Sequence, residues 1–172
     1  MDSEPDVTLG PYSSPEAHAT PWAEALALIG EAEVFWLSTV RPDGRPHVTP
    51  LLAVWSLGGL CFTTGGEERK ARNLAHEPHC ALTTGTHALS GTDVVVEGVA
   101  TPVDDRSARE RAVADLEQKY GAHLTRPEGT WYGLGEAVVA GDVRLYRLAP
   151  TVGFAFGKLP VSSQTRYTWP RS

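Results

Sequence analysis

The chain has 172 residues and a formal charge of -6, with 41% hydrophobic and 21% charged residues, the profile of one soluble globular domain. Its apolar runs, such as Val48 to Trp55, stop well short of the roughly 18 residues that a membrane-spanning helix needs, and the Met1 end is acidic where a signal peptide would be basic. The expectation is a cytoplasmic protein with no membrane and no nucleic-acid partner.

The charge is unevenly spread. Asp2, Glu4, Asp6, Glu16, Glu24, Glu31 and Glu33 fall in residues 1–33 with no Lys or Arg, whereas Arg41 to Arg72 holds five bases against three acids. An acidic leading segment hides a body that is locally basic. Cys61 and Cys80 lie in apolar stretches and read as reduced, buried thiols. The absence of a CxxC pair leaves structural zinc, or any metal, without support.

Residues 1–19 mix Pro, Ser, Gly and acids without periodicity and read as a flexible acidic arm, leaving 20–172 as a single domain. Thr20-Pro21 reads as a helix start, with Thr as cap and Trp22, Ala25, Leu26 and Ile29 on one face. From Val34 to Val40 the period becomes that of a strand. Pro42-Asp43-Gly44 supplies a turn, and His47 to Trp55 is extended again. Gly58-Gly59 predicts the next turn and Leu60 to Thr64 a third strand. A helix over Glu67 to His76 follows, then strands over Cys80–Thr86 and Val94–Val103. Asp104 or Asp105 caps a helix from Arg106 to Tyr120, which Gly121 ends. Residues 122–141 fit a loop or a short helix, and Val143–Leu148, Val152–Phe156 and Gln164–Trp169 read as closing strands. The fold class is mainly β (α+β): a six- to eight-stranded antiparallel barrel with two or three flanking helices.

Two segments carry chemistry. In the first, Arg41 and Arg45 flank a turn and the next strand presents His47 and Thr49 on one face and Val48 on the other. Pro46 and Pro50 each remove a backbone donor, so this strand cannot be paired on both sides, and its free backbone groups suit a planar polar ring. It equally fits an edge strand with a solvated basic turn. In the second, Thr63-Thr64 ends a strand, Gly65-Gly66 permits close backbone approach, and a helix opens with Arg69, Lys70, Arg72 and Asn73. Hydroxyls, helix amides and cations together suit a phosphate, although a solvated basic helix face has the same composition. The Gly-Lys-Ser/Thr ending of a nucleotide P-loop is absent.

In order and spacing, FWLSTVRPDGRPHVTPLLAVW, LCFTTGGEERKARNLAHEP, VVVEGVATPVDD and the late TRYTW resemble the pyridoxamine 5'-phosphate oxidase-like superfamily of flavin and deazaflavin oxidoreductases, particularly its actinobacterial branch. The resemblance runs from about Pro21 to Trp169. It implies a split β-barrel, a homodimer, and coenzyme F-420 (a deazaflavin) or FMN at the subunit interface. It places His47, Val48, Thr49 and Pro50 along the cofactor ring and Thr63, Thr64, Arg69, Lys70 and Asn73 at its phosphate. Arg166 in TRYTW is either a further pocket residue or a surface Arg. The implied activity is hydride transfer between the cofactor and a small organic acceptor. The C-terminal substrate-binding segment of pyridoxamine phosphate oxidase itself has no match in residues 140–172. The alternative is a non-catalytic flavin or haem carrier on the same barrel, with His18, His47, His76, His79, His87 and His123 as candidate haem ligands.

Overall fold

The β2–β3 hairpin sets the site's geometry. Its strands span Phe35–Val40 and Pro46–Leu51, and Gly44, at φ +82°, closes the turn through its amide bond to Arg41 O. In the computed structural model, which describes residues 4–170, nine antiparallel strands form one sheet that is curved but not closed, with five helices against it. The other strands are β1 (Asp6–Leu9), β4 (Ala53–Ser56), β5 (Gly59–Thr64), β6 (His79–Thr84), β7 (Thr92–Pro102), β8 (Arg144–Gly157) and β9 (Ser163–Thr168). The helices are α1 (Trp22–Glu31), α2 (Arg69–His76), α3 (Arg106–Tyr120), α4 (Ala122–Thr125) and α5 (Leu134–Ala140). The main strand order is β1-β9-β8-β7-β6-β2-β3, and β5 pairs with both β4 and β8. No helix of the described residues is long and apolar enough to cross a membrane.

Several sequence expectations are corrected. Residues 6–9 form a strand, β1, pairing with β9 from Asp6 opposite Thr168 to Leu9 opposite Thr165; residues 1–3 of the expected arm lie outside the described residues. Thr20 is not the α1 cap. Pro21 occupies that position, while the Thr20 amide donates to Thr165 Oγ1 at 2.8 Å and its carbonyl accepts from the Tyr167 hydroxyl at 2.8 Å. The extended run expected from His47 to Trp55 changes partner at Leu52: β3 pairs with β2, and β4 pairs with β5. The β4–β5 turn is Leu57-Gly58, both at positive φ, and Gly59 already belongs to β5. The strands expected at 143–148 and 152–156 are one continuous strand, β8. A bulge opposite Glu97 and Gly98 leaves Thr151 as the extra residue, so that Pro150 still pairs opposite Gly98, and Gly98 lets β8 approach, since a Cβ there would collide with Ala149 O.

The helix ends of α3 are as the sequence implies. Asp105 accepts the Ala108 amide at 2.8 Å and Gly121 closes the C-terminus. One core, with Phe35, Leu37, Phe62, Leu82 and Leu148, fills the barrel; a second, with Val113, Leu116, Val138 and Leu145, lies between the sheet and α3 and α5. Trp55 is not an exposed aromatic: it packs edge-on against Trp22, which also meets Tyr167 and Trp169. Lys119 Nζ ties α1 to β4 by donating to Ile29 O and Ala53 O, both at 2.9 Å. Cys61 and Cys80 are buried free thiols, and burial pushes both up to about 12.

The buried Tyr120 hydroxyl accepts from the Ala53 amide at 3.0 Å and donates to the Ala53 carbonyl at 2.9 Å, fastening α3 to β4. Tyr120→Phe strands that amide, and urea unfolding should register a loss of about 1–2 kcal/mol. An unchanged midpoint would mean that water replaces the hydroxyl.

Candidate functional site

The two segments singled out in the sequence meet in space. β3 is the last strand of the order and, among the described residues, bonds only to β2, so one of its backbone edges is unpaired there. Along it His47, Thr49 and Leu51 are half-buried while Pro46, Val48 and Pro50 are exposed, the alternation of a strand with one covered face. The end of β5 and the loop into α2 lie beside it. Between them opens a cleft of about 520 Å³, lined by Pro50 from β3, Thr63 and Thr64 from β5, Gly65 and Glu68 from the loop, and Trp131 from the segment before α5. That volume is in the range of small-molecule sites.

A polar chain runs from α2 to β3. Asn73, fully buried, donates from Nδ2 to Thr39 Oγ1 at 2.9 Å; Thr39 Oγ1 lies 3.4 Å from both His47 Nδ1 and His47 O. The other amide atom, Asn73 Oδ1, is buried without a hydrogen-bond partner, an acceptor aimed at no donor of the protein. Burial first, and then the positive charges of Arg41, Arg69 and Lys70, hold the His47 imidazole below its usual range. The turn and the helix start therefore act on one electropositive locus. Lys70 is only 9% exposed and is paired with Glu68, whose carboxyl is held below the usual carboxylate range mainly by that contact.

Of the residues expected from the sequence, Pro50, Thr63 and Thr64 line the cleft; His47, Arg69, Lys70 and Asn73 belong to the adjoining polar locus. Thr49 shares the covered face with His47, whereas the Val48 side chain is 54% exposed on the opposite face, the one that also carries Pro50; neither Val48 nor Thr49 is in the cleft lining. Arg166 sits on β9 with its guanidinium 6.0 Å from the Phe154 ring, outside the cleft lining. Of the six histidines, His47 is half-buried and the other five are exposed.

Sequence reasoning passed over Thr39, Glu68, Trp131 and Arg144. Thr39 had a signal: it is the polar member of the inward series Phe35, Leu37, Thr39. Trp131 lies among glycines where no period can be read. Arg144 pairs opposite Thr64, and its guanidinium lies 3.2–3.3 Å from where a Cβ on Gly66 would stand, so the absent side chain lets this cation reach the loop. Cations, helix amides and a paired glycine loop beside an apolar cleft can hold an oxyanion at one end of a flat, largely apolar ligand.

Comparison with known proteins supplies independent findings. The family model described as pyridoxamine 5'-phosphate oxidase matches residues 21–155. The pyridoxine/pyridoxamine 5'-phosphate oxidase of Janthinobacterium sp. (strain Marseille) is 30% identical over 160 residues, covering 74% of this chain and 72% of that protein. Two solved structures share the fold. An F-420 reductase superposes with a TM-score of 0.56 at 24% identity, over 74% of this chain and 93% of the other. HutZ, the haem storage protein of Vibrio cholerae, gives 0.60 at 23% identity, over 79% and 93%.

Proposed function

Because the chain belongs to the pyridoxamine 5'-phosphate oxidase family, we propose that its cleft binds coenzyme F-420 or FMN and that the protein is a reductase passing hydride to a small organic acceptor. The observation that carries this reading is the convergence of the unpaired β3 edge and the β5–α2 loop on one cleft, with Arg41, Arg69 and Lys70 acting on His47 at its side. The residues present fit a ring-bearing phosphate. Gly66 leaves open the space that a Cβ would take from Arg144, and Arg69 and Lys70 stand at the same end of the cleft.

Lys70, Arg69, Thr63 and Thr64 hold the phosphate in this reading, with Asn73 bracing the middle of α2 against Thr39 of β2. His47 to Pro50 offer backbone groups to the polar edge of the ring, with Pro46 and Pro50 keeping the edge free of a further strand. The bound, reduced cofactor supplies the hydride. The protein's share is position and dryness: Trp131 and Leu134 wall the cleft, and burial together with Arg41, Arg69 and Lys70 disfavours a further positive charge on His47. The F-420 reductase fold supports the deazaflavin, and the family name supports FMN.

The partner proposed is a second copy of this chain. Val34, Trp36, Val40 and Val48 are 38–54% exposed on and beside the outer face of the β2–β3 hairpin, next to the open edge of β3. Light scattering should give a dimer, and a monomer at micromolar concentration would contradict an interface there.

Steady-state turnover separates an enzyme from a carrier. Reduced F-420 or FMN should be oxidised in the presence of quinones or activated alkenes, and cofactor binding without turnover across the panel would favour a carrier. The haem carrier reading rests on the HutZ-like fold, and a Soret band in the purified protein would be its mark.

A further inference from the structure

The carboxylate of Glu68 occupies the donors that a phosphate would use. Its Oε1 accepts the Gly65 amide at 2.7 Å and its Oε2 is paired with Lys70 Nζ. An amide and an ammonium at a helix start form an anion's donor set, and here the chain supplies the anion itself. The two partners differ in freedom. The Lys70 side chain is 11% exposed and Glu68 is 52% exposed, so the carboxylate has solvent to move into and the ammonium does not. Glu68 is also the N-cap residue of α2, so it stays tethered beside the cradle after it leaves.

Resting on the cofactor reading above, we propose that Glu68 is an internal competitor for the phosphate cradle that favours a singly charged phosphodiester, as in F-420, over the doubly charged phosphomonoester of FMN. Either ligand must displace the carboxylate from Lys70 and the Gly65 amide. After displacement, the remaining repulsion scales with ligand charge, about -1 for a diester and about -1.5 to -2 for a monoester at pH 7. The Glu68 carboxyl is held low, so it stays ionised and the discrimination persists throughout the neutral range.

The test is titration of FMN, F-420 and riboflavin into the wild-type protein, Glu68→Gln and Glu68→Ala, followed by tryptophan fluorescence. Glu68→Gln should tighten FMN about tenfold and F-420 about threefold, because relief from displacement is common to both while relief of the residual repulsion grows with the charge on the phosphate, and should leave riboflavin unchanged. Glu68→Ala should move FMN in the same direction. Equal gains for all three ligands, or no gain for FMN, overturn the proposal and leave the cofactor reading standing. Failure of any form to bind any of the three overturns both.

Discussion

Lys70→Ala should weaken FMN or F-420 binding by about 1–3 kcal/mol, about five- to 150-fold in Kd, and leave riboflavin binding nearly unchanged. The size follows from burial. Lys70 sits at 9% exposure in the first turn of α2, where solvent screens a charge far less than on an open helix face. Its loss also leaves the Glu68 carboxylate without its cation beside the incoming phosphate. Riboflavin carries the ring without the phosphate, so the contrast between the two ligands assigns the loss to the phosphate end. A parallel loss for riboflavin would show instead that Lys70 supports the shape of the cleft. An unchanged FMN and F-420 affinity would remove it from the site.

Phe62→Ala should lower the unfolding free energy by about 3–5 kcal/mol, a large part of the 5–15 kcal/mol typical of a domain. Phe62 is fully buried in β5, and its ring stacks on Tyr146 of β8 with centroids 5.7 Å apart and planes 11° from parallel. β5 hydrogen-bonds to both β4 and β8, so the surroundings have little freedom to collapse into the void. Thr63 and Thr64 continue the same strand into the cleft, so a loosened β5 should also weaken ligand binding. Chemical denaturation gives the stability. The exposed Leu89→Ala is the control and should stay within about 0.5 kcal/mol. A loss below about 1 kcal/mol for Phe62→Ala would contradict the packing described.

The legible parts of this fold are those with a local chemical cause. Asp105 and Gly121 bracket α3 because a carboxylate caps free amides and a glycine tolerates positive φ, and both are visible in the sequence. The β2–β3 hairpin is legible because Gly44 sits where the turn needs it. What escaped depends on contacts distant in sequence. β1 has four exposed residues and is held by backbone bonds to β9, about 160 positions later, so no periodicity reveals it. Pro150 looks like the end of a strand, yet it pairs opposite Gly98 and the strand runs on past a bulge at Thr151. Thr20, by type a cap, is instead committed to Thr165 and Tyr167 at the end of the chain.

The site divides in the same way. Thr63, Thr64, Arg69 and Lys70 are marked by residue type beside two glycines, and His47 and Pro50 by a strand that prolines leave half-paired. That Glu68 would turn back onto Lys70 and Gly65 could not be read from three neighbouring charged residues, any of which could face solvent. Nor does the -6 charge describe the site: it belongs mostly to residues 1–33, while the cations around His47 come from Arg41 to Lys70.

The most direct test of the central claim is titration of FMN and F-420 into the purified protein with tryptophan fluorescence as the readout, since Trp131 lines the cleft. Saturable quenching at micromolar concentration by at least one of them is the predicted result. Absence of quenching by both, with the fold intact, would contradict the assignment of this cleft as a cofactor site.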